Sequence, residues 1–185
     1  MANSKKKDQL TKLFWVDLEM SGLDDLTCKV LEAAVIITDL DFKEIDSYHA
    51  IVKQEPSVLT AMDEWCTRTH GASGLTALIP SGKEESLVDA ELRALIDRHF
   101  PGDERVVLCG NSVSNDKRFL DRYFPKVAER LHYRIVDVSS WKEILRSKYG
   151  VDFKKGDKHR AIDDVRASID ELQHYLSFVQ VPSKS

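Results

Sequence analysis

Two acids, Asp17 and Glu19, stand two positions apart in Phe14-Trp15-Val16-Asp17-Leu18-Glu19-Met20. In an extended strand that spacing puts both carboxylates on one face. Among apolar neighbours they repel each other and lose hydration, which costs stability unless a cation neutralises them. The alternative is an edge strand with a solvated face. A third acid, Asp116, follows a Gly110-Asn111-Ser112 turn and falls near the start of a helix, where an acid ordinarily serves a cap or the helix dipole. His159 precedes Asp164 by five positions in His159-Arg160-Ala161-Ile162-Asp163-Asp164. The histidine falls in a loop and Asp164 in the first turn of the last helix. With side chains advancing by about 100° per residue, Asp163 lies nearly opposite the Val165 stripe and faces water, whereas Asp164 lies on its flank and can point across to a sheet. Carboxylate oxygens suit hard divalent cations such as Mg²⁺ or Mn²⁺. Imidazole, with an unperturbed pKa of about 6.5, can accept a proton near neutral pH. Taken alone, His159 is an ordinary loop histidine, and Lys117 and Asp121 are solvated.

A frame must bring these side chains together. Residues Leu13–Met20 read as a first strand and Val30–Thr38, nearly all apolar, as a buried central one. Residues 48–53 give a third. The spacers at 21–26 and 39–46 are short and polar, so the three strands form an antiparallel meander. Short helical pieces fill 55–76, broken by Gly71 and Gly74, and a helix covers 83–100, closed by Pro101-Gly102. Then follow a strand at 105–109, a helix at 115–124 stopped by Pro125, and a strand at 134–138. Ser140-Trp141-Lys142-Glu143 matches a capping box opening the next helix. The last helix, 161–178, carries the stripe Ile162, Val165, Ile169, Leu172 and Leu176. This is an α/β pattern: a mixed sheet with a three-strand antiparallel opening, then parallel strands, and helices on both faces.

The chain has 185 residues, 42% hydrophobic and 31% charged, which fits a single domain over 11–180 behind a flexible segment at 1–10. No apolar run approaches the roughly 20 residues needed to span a bilayer. The basic start lacks an apolar stretch of signal-peptide length, since Asp17 interrupts 13–16, so a cytoplasmic location is expected. Cys28, Cys66 and Cys109 form no CxxC pair and fit reduced thiols. The net charge of −4 argues against tracking along long nucleic acid, which needs many phosphate contacts.

In combination, Asp-x-Glu on the first strand, Asp at the head of a middle helix and His-x4-Asp at the last helix resemble the DEDDh exonuclease superfamily, which has a ribonuclease-H-like fold. The resemblance narrows. Trp15-Val16-Asp17-Leu18-Glu19-Met20-Ser21-Gly22-Leu23, Glu64-Trp65-Cys66-Thr67-Arg68-Thr69-His70, Gly110-Asn111-Ser112, Tyr133-Arg134-Ile135-Val136-Asp137-Val138-Ser139 and the His159 motif are similar, in order and spacing, to those of oligoribonucleases. The match runs over roughly 11–178. Val113-Ser114-Asn115 and Cys66 depart from the family pattern without touching a metal ligand.

The resemblance implies a 3′→5′ exoribonuclease that degrades very short RNA, especially 5′-phosphorylated dinucleotides, to mononucleotides. It assigns Asp17, Glu19, Asp116 and Asp164 to two divalent cations, Mg²⁺ or Mn²⁺, and makes His159 the general base. Two cations about 3.5–4 Å apart neutralise the phosphoryl group and stabilise the leaving oxygen of such a hydrolysis. Leu23 wedges beside the bases, although a buried loop leucine is the plain alternative. Trp65 stacks on a base or is a core tryptophan. Ser112, Arg134 and Ser139 cap the 5′ phosphate, where Arg binds through its planar fork; otherwise Ser139 is an N-cap and Arg134 a solvated strand residue. His70 is a further substrate contact, and Tyr133 reaches the site from a partner subunit, so a homodimer is implied. Rival readings are a DEDDh exonuclease acting on longer DNA or RNA and a non-catalytic binder of short nucleotides.

Overall fold

The computed structural model describes residues 10–154 and 160–182. His159 and nearly all of the expected N-terminal segment lie outside the described residues. Leu10 is described and packs against the core.

Three strands open the chain: β1 (Leu13–Met20), β2 (Val30–Thr38) and β3 (Glu44–Ile51). Helices α1 (Pro56–Thr60), α2 (Glu64–Ala72), α3 (Leu75–Leu78) and α4 (Glu85–His99) follow. Strand β4 (Val106–Gly110) leads to α5 (Ser114–Tyr123) and α6 (Pro125–Ala128). Strand β5 (Leu131–Asp137), α7 (Val138–Tyr149) and α8 (Ala161–Leu176) complete the order. The sheet runs β3-β2-β1-β4-β5. Strands β1 to β3 pair antiparallel, and β4 joins β1 and β5 in parallel. This is the mixed α/β sheet that the sequence predicts.

Every residue of β2 is buried, as its apolar run requires, because β2 has strands on both sides and layers on both faces. Alternation divides β1 between those layers. Phe14, Val16 and Leu18 enter one core with Val88, Leu92 and Ile96 of α4 and Phe119 and Leu120 of α5. Leu13 and Trp15 enter the other with Val165, Ile169 and Leu172 of α8. Asp17 and Glu19 continue the Leu13–Trp15 side, so the chain's pleat aims them toward α8.

Several boundaries correct the sequence reading. Strand β3 occupies Glu44–Ile51 rather than 48–53; Glu44, Ile45 and Ser47 are exposed on this edge strand, whose outer face needs no apolar pattern. Helix α7 opens at Val138, two residues before the expected capping box. Its N-cap is Asp137, whose carboxylate accepts from Ser139 N at 2.9 Å, placing Ser139 inside the first turn. The buried face of α8 holds Ala161, Ser168, Glu171 and Tyr175 beside Val165, Ile169 and Leu172, whereas Ile162 and Leu176 are only half-buried. The helix ends at Leu176, two residues short of the expected limit.

Candidate active site

Strand β4 pairs with β1 at Phe14 and Trp15, then ends in Gly110. A side chain at Gly110 would stand 2.7 Å from Val16 O, so glycine permits this close approach of the two strands. Beyond the residues paired with β4, β1 runs on to Met20, at the carboxyl end of the strand, where α/β sheets commonly hold ligands.

Asp17 and Glu19 on β1 and Asp164 in the first turn of α8 meet at this end of β1. Each can offer an oxygen within 4.8 Å of the others. Asp164, rather than Asp163, takes part, as the helix geometry predicts. Burial pushes the Glu19 carboxyl from 4.5 up to about 8, with the negative charges of Asp164, Glu32 and Asp116 adding to the rise and Arg160 opposing it. The three oxygen donors fit a hard divalent cation by chemistry, and their crowding is what such a cation would relieve.

Asp116, buried in the first turn of α5, is not in that group of three. Its Oδ1 accepts from Leu18 N at 2.9 Å, satisfying an amide on the β1 edge that faces β4 and α5. Burial raises its carboxyl, opposed by the Leu18 hydrogen bond. The fourth acid is therefore tied to the strand between Asp17 and Glu19, and it adds to the charge that Glu19 feels.

Sequence reasoning missed Glu32. It pairs across from Glu19 in the β1–β2 ladder and is 0% exposed. Like charges placed so would repel, but Glu32 is otherwise engaged. Arg160 donates to it through Nε and Nη2 at 3.0 and 2.7 Å, Ala161 N at 3.3 Å, and His49 is a further partner. Burial raises the Glu32 carboxyl, yet the hydrogen bonds from His49 and Arg160 and the Arg160 charge outweigh it and hold it below its ordinary value. Helix α8 has no N-cap from Arg160, its own capping residue, so Glu32 serves its first amide from across the sheet. The available signal was a lone acid in the all-apolar run of β2, with an arginine beside His159 to match it.

The substrate residues expected from the resemblance fall into two kinds. Leu23 and Trp65 are 69% and 53% exposed, so neither takes the plain core reading. Tyr133, 76% exposed, and Arg134 lie on the edge strand β5, with the guanidinium 5.3 Å from the Tyr133 ring centroid. Ser112 and Ser139 meet with hydroxyls 3.1 Å apart, and Ser112 N donates to Ser139 Oγ and Asp137 Oδ1. His70 differs: it is 1% exposed, its Nε2–H donates to Met20 O at 2.9 Å, and its Nδ1 lies 3.8 Å from Glu19 Oε2. The structure thus places His70 behind the end of β1 rather than on an open surface.

Known proteins resemble this chain. The RNase_T exonuclease family model matches residues 14–172. The oligoribonuclease of Marinobacter nauticus is 44% identical over 174 residues, covering 89% of this chain and 93% of the relative. That of Halorhodospira halophila is 38% identical, covering 92% and 96%. Among solved structures, the zinc-bound E. coli exonuclease I–ssDNA complex superposes with TM-score 0.71 at 14% identity, and exonuclease I from Methylocaldum szegediense with 0.70 at 18%. The chain covers 91% and 90% of its own length in these matches but only 41% and 40% of theirs, so they speak for the fold. The acids, the ribonuclease-H-like sheet that presents them and near full-length relatives agree: the chain belongs to the RNase_T exonuclease family and, within it, to the oligoribonucleases.

Proposed function

We propose that this protein removes nucleotides from the 3′ end of very short RNA, 5′-phosphorylated dinucleotides above all, using two divalent cations, Mg²⁺ or Mn²⁺. The observation that carries this reading, given the family, is the convergence of Asp17, Glu19 and Asp164 within 4.8 Å. Those three acids and Asp116 hold the metal. When bound, the cations act as Lewis acids on the scissile phosphate and leaving oxygen. His159, five positions before Asp164 in the sequence, takes the proton from the attacking water.

Trp65, 53% exposed, stacks on a base, an interaction worth about 1–3 kcal/mol, and Leu23 wedges beside it. Ser112, Arg134 and Ser139 receive the 5′ phosphate and close the groove. Tyr133 completes this cap in a second copy of the chain, so the active form is a homodimer. His70 stays in the substrate set on resemblance, while its burial makes support of Met20 and Glu19 its first task. The proposed setting is the cytoplasm; among the described residues, no helix is long and apolar enough to cross a membrane.

The test is cleavage of 5′-labelled RNAs of two to twenty nucleotides with Mn²⁺, Mg²⁺ or EDTA. The two-mer should be cut fastest, only with metal, yielding mononucleotides. Equal rates on the two-mer and the twenty-mer would reject the length preference.

A further inference from the structure

We propose that Asn111 is a positioning residue that ties the 5′-phosphate cap to the helix carrying Asp164. The inference rests on the proposed cap at Ser112, Arg134 and Ser139 and adds a part that does not itself meet substrate.

Asn111 follows β4 and lies half-buried against α8. Its amide has two N–H bonds, and both point to that helix: Nδ2 donates to Ser168 Oγ and to Glu171 Oε2, each at 2.9 Å. Ser168 Oγ in turn donates to the backbone oxygen of Asp164 at 2.8 Å. Glu171 is wholly buried and also accepts from Tyr175 Oη, so Asn111 bonds to a carboxylate held in place from behind. A bond to a buried charged acceptor is stronger and more directional than one between neutral groups.

The other side of the same amide faces the cap. Asn111 Oδ1 accepts from Ser139 Oγ at 3.2 Å. Ser139 has one hydroxyl proton. Committing it to Asn111 turns the Ser139 lone pairs toward Ser112, whose N–H donates to Ser139 Oγ at 2.9 Å. The hydroxyl of Ser112, 3.1 Å away, is the donor of the second contact for the same reason. Ser112 has φ 49, a left-handed conformation that a non-glycine residue keeps only where its surroundings hold it. Asp137 Oδ1 also accepts from Ser112 N, so the strained residue is fixed by its amide on two sides. Asn111 therefore holds Ser139 as the acceptor for Ser112, leaves the Ser112 hydroxyl proton as the one that can turn to a phosphate oxygen, and registers both serines to the helix turn that supplies Asp164.

The experiment compares one RNA dinucleotide with and without its 5′ phosphate, in Mn²⁺, for the wild type, R134A and N111A. The wild type should prefer the phosphorylated substrate. N111A should lose preference on the order of tenfold or more, chiefly through KM for the phosphorylated substrate. A merely structural role would slow both substrates alike and leave their ratio intact, which would overturn the inference. If R134A loses the preference and N111A keeps it, the cap reading stands and the inference falls. If the wild type shows no preference, both fall. Circular dichroism checks the fold. Should N111A not fold, S168A carries the same test: it removes one of the two helix bonds to Asn111 and leaves the one to Glu171, and an unchanged ratio overturns the proposal equally.

Discussion

The two parts of the candidate site are built on opposite principles. At the metal end, acids are packed close together on β1, α5 and α8, and their repulsion is held in check by Arg160 and by backbone donors. Among the proposed substrate residues, Leu23, Trp65, Tyr133 and Arg134 are exposed, and Ser112 and Ser139 are fixed by a network. The first end is preorganised and electrostatically costly without a cation. The second is exposed, and its aromatic and basic groups present surface that a docking substrate would cover. Chemistry should therefore fail abruptly when the metal end is altered, and affinity should fade gradually when the cap end is.

The largest effect belongs to the acids. Asp164→Ala should lower kcat by about a thousandfold or more and weaken Mn²⁺ binding in calorimetry. An unaltered metal titration would remove Asp164 from the ligand set. His159→Ala should cost about 10²–10⁴ in kcat, the usual range for general-base loss, while metal binding stays near wild type. Wild-type turnover in that variant would end the general-base role.

Glu32→Gln comes next. It leaves Arg160 without its charged partner, the kind of change that costs about 3–5 kcal/mol when an ion pair is buried; partial exposure of the Arg160 side chain, 26%, lowers that figure. The expected result is a lower melting temperature together with reduced kcat at nearly constant KM, because the start of α8 loses its brace. Melting and kinetics both at wild-type level would show the brace to be dispensable. Trp65→Ala, at the open end, should instead raise KM by the about 1–3 kcal/mol of one stacking contact and spare kcat. A kcat loss as large as that of His159→Ala would erase the contrast between the two ends.

The last effect concerns pH. Glu19 titrates at about 8 in the fold against 4.5 ordinarily. An acid with a raised folded pKa keeps its proton in the folded state while the unfolded chain has released it. Without metal, stability should therefore fall as pH rises from 4.5 toward 8, the penalty being complete above 8. The upward shift of Asp116 acts in the same direction. Divalent cations take the place of the proton, so melting curves with Mn²⁺ should lose this slope, and metal affinity should tighten with pH over the same window. A metal-free melting temperature that rises across it would contradict the crowding at Glu19.

How much was legible in the sequence follows the same division. Strands β1 and β2 could be delimited from their apolar runs, and Asp17, Glu19 and Asp164 from periodicity, because burial leaves a regular imprint on residue type. The start of β3 was not, since an edge strand can be written in polar residues such as Glu44-Ile45-Asp46-Ser47. Glu32 and Asn111 escaped because their partners lie far along the chain, at Arg160 and Glu171, and only the folded sheet brings them together. The exposure of Leu23 and Trp65 was equally beyond local pattern, since the same residues serve as core elsewhere. His70 shows the converse: a residue expected at the substrate surface lies behind it.

The most direct test is anomalous scattering from a crystal soaked in Mn²⁺ with an uncleaved dinucleotide analogue. The account predicts a pair of manganese peaks, with oxygens of Asp17, Glu19 and Asp164 about 2.0–2.2 Å from metal and Asp116 bound to one of the ions. Peaks elsewhere, or none at those carboxylates while the protein still cleaves RNA, would contradict it.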